Sequence, residues 1–237
     1  MIFSKKLRHR HLESELMDAS DLPTEELQAA LKGLDRLNRL SFASTSISKA
    51  IKNYLKLNPS IKTLSILDVA CGDGQLLRSV IKNLRETGVE CNGKGIDINP
   101  TSISEAQKRC NDDSIRFEVR DALQEPQSES FDIVISSLFL HHLSENNVVQ
   151  VLRTMRGTAK RLVIVNDLRR STLNLVFVWI GAKLVTRSYV VHKDAVGSVY
   201  AAFTKEELLA LVNEARYDRF KIKNSFPCRM LLVEKLS

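Results

Sequence analysis

The sequence predicts an α/β protein with a seven-stranded, doubly wound, mostly parallel sheet, a reversed last strand and an N-terminal helical cap. Three observations carry this. Short apolar runs alternate with amphipathic segments from residue 61 onward, a glycine turn follows the first run, and the last two runs flank Phe226-Pro227 with no helix between them. Residues 1–60 are assigned to the cap and 61–237 to the domain, with 171–200 as an insertion that extends the cap.

In LPTEELQAALKGLDRLNRL, Leu27, Leu31, Leu34 and Leu37 recur at helical spacing. Ser46–Leu57 continues with Ile47, Ala50, Ile51, Tyr54 and Leu55 until Asn58-Pro59 stops it. Thr63–Val69 is a strand. Gln75–Thr87 is a helix closed by Gly88, and Cys91–Ile98 is a second strand ending in GIDINP. Thr101–Cys110 is a helix opened by Ser102 with Glu105 three residues on, a capping-box pattern. Strands follow at Ile115–Arg120 and Phe131–Ser137, then a helix over Asn146–Ala159 and a strand over Arg161–Asp167. The run LVFVWIGAKLV, within 171–191, is too short to span a bilayer. His192 falls on a loop before a helix opened by Thr204-x-x-Glu207, and Arg219–Asn224 with Arg229–Glu234 forms a closing hairpin.

The chemistry gathers where strands end. In ILDVACGDGQLL, the turn Ala70-Cys71-Gly72-Asp73-Gly74 lets backbone N–H groups approach a ligand, and the following helix N-terminus favours an anionic group. A dinucleotide pyrophosphate and the carboxylate of S-adenosylmethionine both suit such a turn. Leu77 stands where the dinucleotide fingerprint wants a small residue, and Asp68 before the turn suits a cationic ligand. Asp97 ends the second strand, where an acid grips ribose hydroxyls, and Asp121 follows the third strand with Ala122 beside it, placed for an adenine.

With these residues the chain resembles the class I, Rossmann-like S-adenosylmethionine-dependent methyltransferases of small-molecule type. LDVACGDGQLL, GIDINP, VRDAL and FDIVISSLFLHHL each match a family motif, and the likeness covers about residues 61–167. The resemblance implies S-adenosylmethionine as cofactor. Asp68, Ala70, Gly72 and Gly74 would face its methionine part, Asp97 and Ile98 its ribose, and Asp121 and Ala122 its adenine, with Ser137 close by on the substrate side. His141, His142 and Asp167 are the candidates for removing a proton from the acceptor, and Arg169 or Arg170 for pairing with an acidic acceptor group.

The place after the fourth strand reads SSLF. It lacks the Asp/Asn-Pro-Pro-aromatic tetrad of nucleic-acid amino methyltransferases. The net charge of +7 and pI near 9.3 permit an acidic partner, but no segment combines dense basic charge with interleaved aromatics, so no nucleic-acid partner is expected. KKLRHRH (Lys5 to His11) reads as a solvated tail. Four cysteines without C-x-x-C spacing read as reduced thiols of a cytoplasmic protein, and no apolar stretch follows the basic start as a signal peptide would require. No metal is expected. The apolar cap segments suit a small aromatic or lipophilic acceptor, methylated at a hydroxyl oxygen, and they leave room for a peripheral membrane contact. A nicotinamide-dependent oxidoreductase, a non-catalytic S-adenosylmethionine-binding protein, and a protein or RNA methyltransferase are the competing readings.

Overall fold

The computed structural model describes residues 7–13, 16, 42–124 and 129–236. The leucine repeat from Leu27 to Leu37 lies outside them. The described elements are α1 (Ala43–Leu57), β1 (Thr63–Val69), α2 (Gln75–Arg85), β2 (Glu90–Asp97), α3 (Pro100–Lys108), β3 (Ile115–Val119) and β4 (Phe131–Ser137). A 3-10 turn (Leu140–His142), α4 (Glu145–Thr158), β5 (Ala159–Leu168), α5 (Thr172–Val185) and α6 (Tyr189–Ala201) follow. The chain closes with α7 (Lys205–Glu214), β6 (Phe220–Ser225) and β7 (Arg229–Lys235).

The sheet order is β3-β2-β1-β4-β5-β7-β6. Strands β1 to β5 pair in parallel, and β7 runs antiparallel to both β5 and β6. The strand order reverses between β1 and β4, so their carboxyl ends flank the crevice where open α/β sheets bind ligands. Alternation along β1 sends Leu67 and Val69 to one face and Leu64 and Ile66 to the other. On the first face they join Leu152 and Met155 of α4 and Leu211 and Val212 of α7. On the second they join Ile47 and Ile51 of α1 and Leu77 and Ile81 of α2. Both faces of the central strands are therefore dry, which is why those strands read as continuous apolar runs.

Leu77 fits because the small residue sits on the strand and not on the helix. A methyl group added at Gly93 would lie 2.6 Å from the Ile81 side chain and 3.1 Å from that of Leu77, so α2 approaches β2 through that glycine.

Three local expectations change. Helix α3 begins at Pro100, capped by Asn99, whose side chain accepts from the N–H groups of Thr101 and Ser102. The Ser102–Glu105 box does not open it, because Asn at the cap and Pro at the first position already fix the start one turn earlier. The 171–200 insertion is a pair of helices, α5 packed on α6, and His192 is on α6 with Nε2 2.8 Å from the Thr186 carbonyl. Leu7 to His11 is not a solvated tail. The Arg170 guanidinium donates to the Leu7 carbonyl, and the His11 N–H donates to the Tyr200 carbonyl.

Candidate active site

On one side of the crevice, β1 leads into Ala70, whose φ of 58° is left-handed, and the turn passes through Gly72 (φ 55°) and Gly74 (φ 72°). Gly74 has a second constraint, since an added methyl would lie 2.4 Å from the Phe117 ring. A methyl at Gly72 would meet nothing within 4 Å, so that backbone lies open to an approaching ligand. Asp97 braces the turn. One carboxylate oxygen accepts from the Gly72 N–H at 2.8 Å and the other from the Asn99 N–H at 2.9 Å. Beside Asp97, Ile98 is 66% exposed. Asp121 accepts from the Leu123 N–H at 2.9 Å and stands with half-buried Ala122 at the end of β3.

Asp68 is fully buried, and neither of its carboxyl oxygens has a hydrogen-bond partner. Burial first, and the Asp97 charge second, push this carboxyl well above the ordinary carboxylate range. An orphaned carboxyl beside a second acid fits a site for a ligand that carries positive charge.

Across the crevice, β4 likewise leads into a left-handed residue, Leu138 (φ 55°), whose N–H donates to the Asn166 carbonyl. The turn that follows brings His141 against Asp167 at the end of β5, with Nδ1 2.6 Å from a carboxylate oxygen and both residues buried. Asp167 also accepts from the N–H groups of Leu140 (2.6 Å), Phe139 (3.2 Å) and Leu168 (2.7 Å). Burial works to raise this carboxyl, but His141 and the N–H donors outweigh it and hold Asp167 below its usual range. An ionised carboxylate only accepts, so the proton lies on His141 Nδ1 and Nε2 is the basic nitrogen. The His142 ring lies 4.1 Å from that of His141 and reaches solvent. The protein crowded around it, and then His141, push it down to about 4.

Two arginines complete this side, and neither was identified in the sequence. Arg229 of β7 is buried and donates to the Ser137 hydroxyl (3.2 Å) and to the Asn166 side-chain carbonyl (3.0 Å). Its burial pushes it down to about 10. Arg10 donates to the carbonyls of His141 (2.8 Å), Leu143 (2.6 Å) and Ala201 (2.5 Å), with its guanidinium 4.0 Å from the Phe203 ring centroid. No local pattern marks either residue, because each meets the site across roughly a hundred residues or more of chain. Arg170, proposed to meet an acidic acceptor, is buried instead. It donates to the carbonyls of Leu7 and Ala202 and pairs with Glu207. Arg169 donates to Asn224.

Comparison with known proteins bears on the fold that carries these residues. Residues 66–161 match the family model described as a methyltransferase domain. Release factor glutamine methyltransferase of Flavobacterium psychrophilum is 36% identical over 90 residues, 37% of this chain and 30% of that protein, so the match spans less than a third of its length. Among solved structures, a plantazolicin methyltransferase in complex with SAH superimposes with a TM-score of 0.72 at 18% identity, covering 99% of both chains. The magnesium protoporphyrin IX methyltransferase of Synechocystis with bound SAH does so at 0.53 and 17% identity, covering 93% of this chain and 91% of that one. Residues 66–161 thus match a methyltransferase domain, and the chain shares the Rossmann-like class I fold of methyltransferases solved with SAH.

Proposed function

We propose that this protein transfers a methyl group from S-adenosylmethionine to a hydroxyl oxygen of a small aromatic or lipophilic acceptor, with His141 as the general base. The observation that carries this is the buried His141–Asp167 contact of 2.6 Å at the end of β5. When bound, the cofactor supplies a methyl group on a sulfonium leaving group. The protein then has to align the acceptor and take its proton. Asp167 fixes the His141 ring and its tautomer, and Nε2 accepts the hydroxyl proton. Asp97 and Asp121 hold the ribose and adenine, while Gly72 gives the methionine part close access and Asp68 lies beneath it as counter-charge.

Release of S-adenosylhomocysteine with a panel of phenolic and long-chain hydroxylated acceptors tests this reading. Turnover should appear with at least one acceptor class and should fall on the order of 100-fold or more in His141→Ala, as loss of a general base does. Full turnover in that variant would remove the base from the mechanism. Transfer to nitrogen is the second reading, favoured by the match to a protein named for glutamine methylation. Mass spectrometry of the labelled product locates the methyl and separates the two.

A further inference from the structure

Helix α5 is apolar nearly all round. Of its 14 residues, only Thr172, Asn174 and Lys183 carry clearly polar side chains. Asn174, Leu175 and Ala182 turn inward. On the opposite side Leu173, Val176, Phe177, Ile180 and Leu184 follow one another at helical spacing and are 42% to 81% exposed. Trp179 stands beside this stripe, with the Lys183 ammonium 4.0 Å above its ring. Asn174 donates to the Cys228 carbonyl, which ties the β6–β7 turn to the first turn of α5, and in that turn Phe226 is 77% exposed and paired with the Phe42 ring at 6.4 Å.

Among the described residues, the exposed charges of α5, of the segment that joins it to α6, and of β6 have one sign. Residues 169–193 include Lys183, Arg187 and Lys193, all exposed, and no Asp or Glu, while β6 adds exposed Lys221 and Lys223. The nearest acid along the chain, Asp194, is buried and accepts from the Leu16 N–H. A helix that is apolar all round needs cover on both sides. At 14 residues α5 is about 21 Å long, short of the roughly 30 Å hydrocarbon core of a bilayer. Among the described residues no helix is long and apolar enough to cross a membrane.

We propose that this face docks on an anionic lipid surface, with α5 lying in the membrane plane, Trp179 and Phe226 at headgroup depth, and the surrounding lysines and arginines against the lipid phosphates. Zwitterionic lipid alone would satisfy the apolar stripe but not the one-sided charge.

The single tryptophan makes the test direct. The full chain is mixed with phosphatidylcholine vesicles containing about a quarter phosphatidylglycerol, and with phosphatidylcholine vesicles alone. Co-sedimentation and Trp179 emission are then read at low and high salt. The expected result is a blue shift and sedimentation with the anionic vesicles, weakened at least tenfold by salt or by omitting phosphatidylglycerol. Phe177→Asp combined with Ile180→Asp should lower partitioning at least tenfold, and S-adenosylmethionine affinity should match the wild type, which reports an intact fold. Lys183→Glu with Arg187→Glu should abolish the preference for anionic lipid.

Equal binding to both vesicle types overturns the proposal, and so does absence of binding. A wild-type dimer that the paired aspartates dissociate without lipid would make the face an interface between copies instead. Trp179 shielded from iodide before any vesicle is added would mean that another part of this chain already covers it. The assay reads partitioning and not methyl transfer, so it stands apart from the acceptor proposed above.

Discussion

The two ends of the crevice are built differently. On the cofactor side the acids of β1, β2 and β3 sit at strand ends close in sequence to the turn they serve, as in the contact of Asp97 with the Gly72 N–H across 25 residues. On the acceptor side, His141 is oriented by Asp167 on the next strand, Ser137 by Arg229 on the last one, and the carbonyls of His141 and Leu143 by Arg10 from the first residues of the chain. The proposed cofactor side is a motif repeated strand by strand. The proposed acceptor side has one contact of the same span, His141 with Asp167 across 26 residues, and is otherwise tied by arginines from distant segments. Mutations should therefore separate into two sets, each moving one side and sparing the other.

The largest expected effect is at His141. His141→Ala should cost roughly 100-fold or more in turnover while the dissociation constant of S-adenosylmethionine stays put, as binding titration would show. The pH profile sharpens the assignment. Burial, and then His141, push His142 down to about 4, so it is unprotonated across the neutral range, and a rate that depended on it would be flat from about pH 6 upward. Full turnover in His141→Ala would break the proposed contrast on its acceptor side.

Asp97→Ala should act in the opposite sense. It removes an anionic acceptor from the Gly72 and Asn99 N–H groups and the partner proposed for the ribose. At about 1.5–3 kcal/mol for a hydrogen bond to a charged group, cofactor affinity should fall tenfold or more. Turnover at saturating cofactor should change far less. Unchanged affinity in a folded Asp97→Ala protein would undo the assignment of the turn.

Arg10→Ala should weaken the acceptor side alone. It strips three carbonyls of a charged donor, at a cost to stability of about 1.5–3 kcal/mol. That corresponds to a melting temperature lower by roughly 3–12 °C, with turnover reduced and cofactor affinity retained. Equal losses on both sides would show that the arm holds up the whole domain and not one half of its site.

The smallest effect is electrostatic and belongs to Asp68. Its folded carboxyl is raised, so the stability it permits is complete below the unfolded carboxylate pKa and is lost as pH rises toward the folded value. Without ligand, wild-type stability should decline with pH by up to about 1.4 kcal/mol per pH unit over that window. Asp68→Asn, which cannot ionise, should be flatter. Parallel melting profiles for the two proteins would mean that Asp68 contributes no such linkage.

The same contrast explains what could be read from the sequence. Strand β1 from Thr63 to Val69 and strand β4 from Phe131 to Ser137 were legible to the residue, because strands buried on both faces are continuous apolar runs. The Thr204–Glu207 capping box was legible because its two partners are three residues apart, and the glycine turn because its residues form one contiguous pattern after an apolar run. The resemblance to class I methyltransferases rested on those local motifs and agrees with the comparisons. The start of α3 was misplaced because two capping patterns compete within four residues, and only the geometry shows Asn99 prevailing. Arg10 lay in a basic run whose composition suits a solvated tail, and nothing near it in sequence announces Phe203 or the carbonyls of His141 and Leu143. Arg170, just after a strand, read as a partner for an acidic acceptor group. Its burial depends on Glu207 and on backbone of the N-terminal arm, both remote from it.

The reach of the Arg10 contacts has a consequence for how the protein is made. Arg10 is synthesised 131 residues before His141 and 191 before Ala201, the residues whose carbonyls it holds. The nascent chain must therefore keep this guanidinium in water until most of its length has left the ribosome. By then β1, β2 and the turn between them have long been available to pair. The half of the crevice assigned to S-adenosylmethionine can thus form while the other half is still untied. Cofactor present during translation would stabilise that half-built state by mass action, and the amino-terminal arm would be among the last pieces to lock.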